Sequence, residues 1–148
     1  MKVFDYSPIP FDGGKLSFQD RLKGISKFGF SWVSEMKSQE VLVATLNRVL
    51  DNHFTLLRNI PLPGKDATIS LVLLGPHGVT VLNNNITKGV FRAEGDTWEI
   101  MDNRLKNFKT AKPNLITRTK LMKDTFKAFL SEAGLDMEVD EVLVFTDP

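Results

Sequence analysis

Three consecutive asparagines, Asn83, Asn84 and Asn85, close the run "GVTVLNNN". Val79 and Val81 alternate there with Thr80 and Leu82, the period-2 pattern of a strand, so a strand end should present the three carboxamides together. Carboxamides can donate to and accept from a small polar ligand, or satisfy backbone groups where a chain turns. They carry no charge. The acids expected near that strand end are Glu40, Asp66 and Asp96, which could assemble a metal site but whose ordinary place is a solvated helix or turn position.

Several other chemistries fail on spacing. His53 and His77 lie on separate segments without a second histidine four residues away, so no zinc site is expected. Ser70 lacks a Gly-x-Ser-x-Gly elbow, and "DGGK" at residues 12–15 lacks the spacing of a phosphate-binding loop. With no cysteine there is no disulfide, thiolate site or cysteine nucleophile, which fits a cytoplasmic protein.

Charge is more informative locally than globally. The net charge of +1 gives no overall argument for a polyanionic partner. Yet Arg104, Lys106, Lys109, Lys112, Arg118, Lys120, Lys123 and Lys127 stand within 24 residues against one acid, Asp124. Lys120, Lys123 and Lys127 share a helix face by their spacing, and Asn107 and Phe108 interleave with the basic residues before them. Such a surface attracts nucleic-acid phosphates; the plainer alternative is a solvated face balanced by the acidic tail "EVDEVLVFTD".

The elements that must position these residues fit one domain. The chain has 148 residues, 42% of them hydrophobic and 25% charged, enough for a proper core. No apolar run reaches the roughly 20 residues of a membrane span. "MKVFDYSPIPFDGG" has acids and prolines where a signal peptide needs an apolar centre, so none is expected. Residues 1–15 read as an irregular arm, and Ser17 opens a short helix with Asp20 at capping-box spacing. Phe28, Phe30 and Trp32 are expected to pack on the domain. A first strong helix, with Ser34 as N-cap, carries Val41, Val43, Leu46, Val49 and Leu50. Strands follow in "HFTLLRNIPL", "TISLVLLG" and, after the "GPHG" turn, the asparagine strand. A hairpin turns at Glu94-Gly95-Asp96, and "DNRLKNFKTAKPN" reads as a polar connection. The second strong helix runs through "LITRTKLMKDTFKAFLSEAG", with Gly134 at its C-cap. Last comes Val142-Leu143-Val144-Phe145, continuously apolar, as in a strand buried on both faces.

This order of helix, three strands, helix and strand resembles the core of the PD-(D/E)XK nuclease-like fold. "LLRNIPLPG", "ISLVLLGPHGVTVLNNNITKGVF", Trp98 and "VLVFTDP" together resemble the nuclease-related domain, NERD, over about residues 36 to 147. The "GPHGV" turn and its flanking strands are the most specific part. Carried over position by position, Glu40 matches the family's helical glutamate. Ser70 falls where a metal-binding aspartate belongs, Asn83 at the second acid and Asn85 at the lysine. In "KPNLITR", Leu115 matches the Asn-Pro-Leu-x-Gln motif and Thr117 takes the glutamine's place. The resemblance therefore implies the fold without its usual chemistry. Metal-assisted phosphodiester cleavage needs a hard cation held by acids, and often a lysine at the developing charge.

The expectation is an α/β, PD-(D/E)XK nuclease-like domain, a mixed sheet flanked by two main helices. Residues 1–34 form an N-terminal extension with a short helix, and residues 35–148 the NERD-like domain, cut short at its C-terminus. The expected function is binding, to nucleic acid through Lys120, Lys123 and Lys127 or to a protein partner, with no catalytic residues, metal or cofactor. The alternatives are a Mg²⁺- or Mn²⁺-dependent nuclease with a relocated site, and a structural or homo-oligomerising module.

Overall fold

The computed structural model describes residues 1–9, 17–28, 31–64 and 67–146; Asp66, Phe30, the side chain of Phe28 and the "DGGK" segment lie outside the described residues. Its elements are β1 (Lys2–Asp5), α1 (Phe18–Phe28), α2 (Trp32–Val49), β2 (Thr55–Pro61), β3 (Thr68–Gly75) and β4 (Gly78–Asn85). They continue with β5 (Phe91–Glu94), β6 (Thr97–Asp102), β7 (Asn107–Thr110), α3 (Leu115–Glu132) and β8 (Val139–Phe145). The fold is α/β: a mixed five-stranded sheet in the order β1-β2-β3-β4-β8, a small antiparallel sheet β5-β6-β7, and three helices.

The period-2 pattern of the central strands explains the layering. Val72, Val79 and Val81 face Phe126, Met122 and Phe129 of α3, whereas Leu56, Leu71 and Leu82 face Leu42, Val43 and Leu46 of α2. A helix thus covers each side of the sheet, and burial of these aliphatic side chains is the main force holding the layers. Pro76 and His77 form the two-residue loop between paired Gly75 and Gly78.

Four local expectations change. Lys2–Asp5 is not an irregular arm but an edge strand parallel to β2, a pairing that only distant residues could supply. The N-cap of helix α2 is Ser31, three residues before the expected cap at Ser34. Its buried face carries Met36, Ser38, Gln39 and Leu42, while Val41 and Val49 are exposed. The polar connection contains β7, whose Phe108 lies under the guanidinium of Arg92. Strand β8 pairs with β4 at the outside of the sheet, not at its centre, and Val142 and Phe145 stay exposed. Its apolar run has another cause: Leu143 and Val144 join different core clusters, and the Phe145 ring lies against Phe91 and Trp98.

Candidate functional site

The sheet opens around one residue, Ser70. In the β2–β3 register Arg58 pairs with Leu71 and Ile60 with Ile69. Asn59, which falls opposite Ser70, instead takes φ 53°, a left-handed conformation that is uncommon within a strand. On the other side the β3–β4 ladder stops at Val72 and Val81, and the end of β4 pairs with β8. A cavity of about 300 Å³ lies over this opening, lined by Glu35 and Gln39 of α2, Ser70, the three asparagines and Arg118 of α3.

The asparagines are extended strand residues rather than a turn, and alternation sends them to different helices. Asn83, 5% exposed, donates from Nδ2 to Thr119 Oγ1 of α3 at 2.8 Å. The Thr119 hydroxyl in turn donates to the Leu115 carbonyl at 2.7 Å. Asn84 points to α2, donating to Ser38 Oγ at 2.8 Å and accepting from Thr146 Oγ1 at 2.8 Å. A hydrogen bond between the Ser38 and Thr146 hydroxyls closes that ring. Asn85 accepts the Thr87 backbone N–H at 2.7 Å on its Oδ1, and its carbonyl accepts the Thr146 N–H. The carboxamides therefore join β4 to α2, to α3 and to the segment after β8.

Of the residues carried over by resemblance, Ser70, Asn83 and Asn85 meet at this cavity. Glu40 turns elsewhere. It accepts from Arg58 Nη1 at 2.5 Å, and Asp5 lies 3.6 Å from the same nitrogen. Glu35 is the acid of α2 that lines the cavity, with Gln39 four residues on along the same helix face. Sequence reading missed it; the signal was the helix start at Ser31, which sets the phase. Thr117 is exposed, and its N–H is capped by Asn114 Oδ1 at 3.1 Å. The next residue, Arg118, reaches the cavity from the first turn of α3, a turn that contains no acid. A cation there opposes the positive helix end, so an anion at this place would relieve both.

Lys120, Lys123 and Lys127 are not a bare cationic ridge. Lys120 pairs with Asp96 at 2.5 Å, Lys123 with Glu141 at 3.1 Å and Lys127 with Glu138 at 3.0 Å. The hydrogen bond to Glu141 is the main cause of a raised Lys123 pKa. Such solvent-exposed pairs are weak, so a polyanion can compete for the lysines. His53 pairs with Asp51 at an exposed turn, whose carboxyl is held low first by the His53 backbone N–H and then by its ring. Trp98 is buried and stacks on Phe91 at 5.1 Å.

A hard divalent cation fits these donors poorly. Among the residues lining the cavity Glu35 is the one carboxylate; the Ser70 hydroxyl and the carboxamides around it are neutral, and those of Asn83 and Asn84 already bond Thr119 and Ser38. Among the described residues no group of three His, Cys, Asp or Glu could hold a metal ion. No described helix is long and apolar enough to cross a membrane.

Residues 34–146 match the family model of the nuclease-related domain, NERD. No curated protein and no solved structure gives a match.

Proposed function

The chain belongs to the nuclease-related domain family, and from that premise we propose a catalytically degenerate member that binds nucleic acid instead of cutting it. One observation carries the reading: the strand ends that open the sheet present Ser70, Asn83 and Asn85, with Asn83 committed to Thr119. Neutral, fixed carboxamides cannot concentrate a divalent cation as paired acids do. They do suit an anion, together with Arg118 and the N-terminal turn of α3. Lys120, Lys123 and Lys127 would add longer-range attraction along α3, displacing their acid partners as phosphates approach.

A relocated metal site has less support. Glu40 is tied to Arg58 and Asp96 to Lys120, so recruiting either breaks an existing ion pair.

Fluorescence anisotropy of a labelled oligonucleotide in chelator-treated buffer tests the proposal. Binding should weaken with rising salt, and Arg118→Ala should weaken it further and flatten that dependence. Absence of binding at low salt, or equal binding by Arg118→Ala, would remove the basis for the proposal.

A further inference from the structure

Beside the asparagine-lined cavity lies a second one of about 520 Å³, and Glu35, Gln39 and Ser70 line both. We propose that this second cavity receives one unpaired base of a single-stranded nucleic acid whose adjacent phosphate sits at Arg118. The inference rests on the nucleic-acid reading above and narrows it to single strands.

The walls are of the right kind. Tyr6 and Trp32 both line the cavity. Tyr6 is 52% exposed, so part of its ring is open to a stacking partner. The Trp32 ring is held in place by α1: it packs against Gly24 so closely that a Cβ at that glycine would run into it. Aromatic surfaces of this sort hold bases of any sequence by stacking.

The polar lining supplies a matched edge. Gln39 and Asn59 each present a carboxamide, with both donors and an acceptor. Their mutual hydrogen bonds are long, 3.3 Å from Gln39 Nε2 to Asn59 Oδ1 and 3.5 Å from Asn59 Nδ2 to Gln39 Oε1. Bonds of that length are weak and readily exchanged for better ones, which leaves Gln39 Nε2 and Asn59 Oδ1 to meet a base while Asn59 Nδ2 stays bonded to Ser7 Oγ at 2.6 Å. The Watson–Crick edge of a base offers such partners only when it is unpaired. Asn59 reaches this place through its left-handed backbone, a conformation that costs free energy and so favours a role for the displaced side chain.

The aromatic walls set the polarity of binding. Glu35 lines both cavities and Lys27 lines the second, so a cation stands at each end, and it is stacking on Tyr6 and Trp32 that places the base in the second cavity and its adjacent phosphate at Arg118.

The test compares three labelled probes by anisotropy at one salt concentration: a short single strand, the same strand with abasic sites throughout, and the corresponding duplex. The intact strand should bind about tenfold or more tighter than the abasic strand, which keeps every phosphate and lacks the bases. Tyr6→Ala should remove that preference and Tyr6→Phe should keep it, with thermal melts showing each variant folded. Equal affinity for intact, abasic and duplex probes, with Arg118→Ala weakening all three, overturns the base pocket and leaves the anion site standing. No binding of any probe overturns both.

Discussion

Asn83→Asp changes one atom type and almost no volume, so it isolates the hydrogen bonding at the heart of the site. Asn83 is 5% exposed and donates to Thr119 Oγ1, whose own proton goes to the Leu115 carbonyl. A carboxylate in that place faces the lone pairs of an oxygen with no proton to give, unless Thr119 abandons Leu115. Loss of the bond costs about 1 kcal/mol, and the buried, poorly partnered charge raises the total to about 2–4 kcal/mol at neutral pH. The new carboxyl would lower this cost by holding its proton, so its folded pKa lies above the unfolded value of about 3.9. The native state then binds more protons than the unfolded one between those two values, and stability falls as pH rises through that window. Urea unfolding of wild type and variant should therefore show a gap that is large at pH 8 and smaller near the unfolded pKa. Equal stability at pH 8 would refute the hydrogen-bond lock. So would a variant stabilised by added Mn²⁺, because the new carboxylate would then face a cation and not Thr119.

Glu40→Ala should lower stability by about 1–3 kcal/mol in denaturant unfolding, because Arg58 is 5% exposed and, among the described residues, would keep only Asp5, 3.6 Å away, as an anionic partner. If unfolding is unchanged, the Arg58 pair is not structural. Gly24→Ala gains helix propensity of about 1 kcal/mol but drives a Cβ into the Trp32 ring; a net loss of about 1–2 kcal/mol is expected, with altered tryptophan fluorescence. A stabilised variant would mean that the ring moves freely. Asp102 has a carboxyl pKa held below its ordinary value, first by the Lys109 ammonium and then by the Arg104 and Leu105 N–H groups. Its contribution is present above pH 3.8 and is lost as pH falls through the lower folded value. Asp102→Asn should therefore flatten the acid limb of a stability–pH profile, and an unchanged slope would count against these contacts.

Local signals were legible where a few neighbouring residues decide the outcome. The Ser17–Asp20 cap forms as the spacing suggests, with Asp20 N–H donating to Ser17 Oγ at 3.1 Å. Gly134 takes φ 78° at the end of α3, and Gly95 takes φ 57° in its hairpin. What distant partners decide was not legible. The four residues of β1 are all exposed and carry no alternation; parallel pairing with β2 alone makes them a strand. β7 stays polar because its small sheet turns largely to solvent. The continuous apolarity of β8 suggested a central strand, whereas it arises at an edge, where Leu143 and Val144 face different clusters. In the site, the meeting of Ser70, Asn83 and Asn85 followed from the resemblance, but the choice between Glu35 and Glu40 depended on helix phase. Five residues differ from a whole number of turns by about 140°. The side-chain partners of Asn83 and Asn84 lie 36 to 62 residues away along the chain, beyond any local pattern.

The most direct test incubates a labelled single strand and a plasmid with the protein, in chelator, in Mg²⁺ and in Mn²⁺. Binding and strand integrity are followed together, for wild type and for Glu35→Ala. The binding role predicts binding in chelator that neither cation strengthens, and intact nucleic acid throughout. Cleavage that needs Mg²⁺ or Mn²⁺ and disappears in Glu35→Ala would contradict it, and would make Glu35 part of a working metal site.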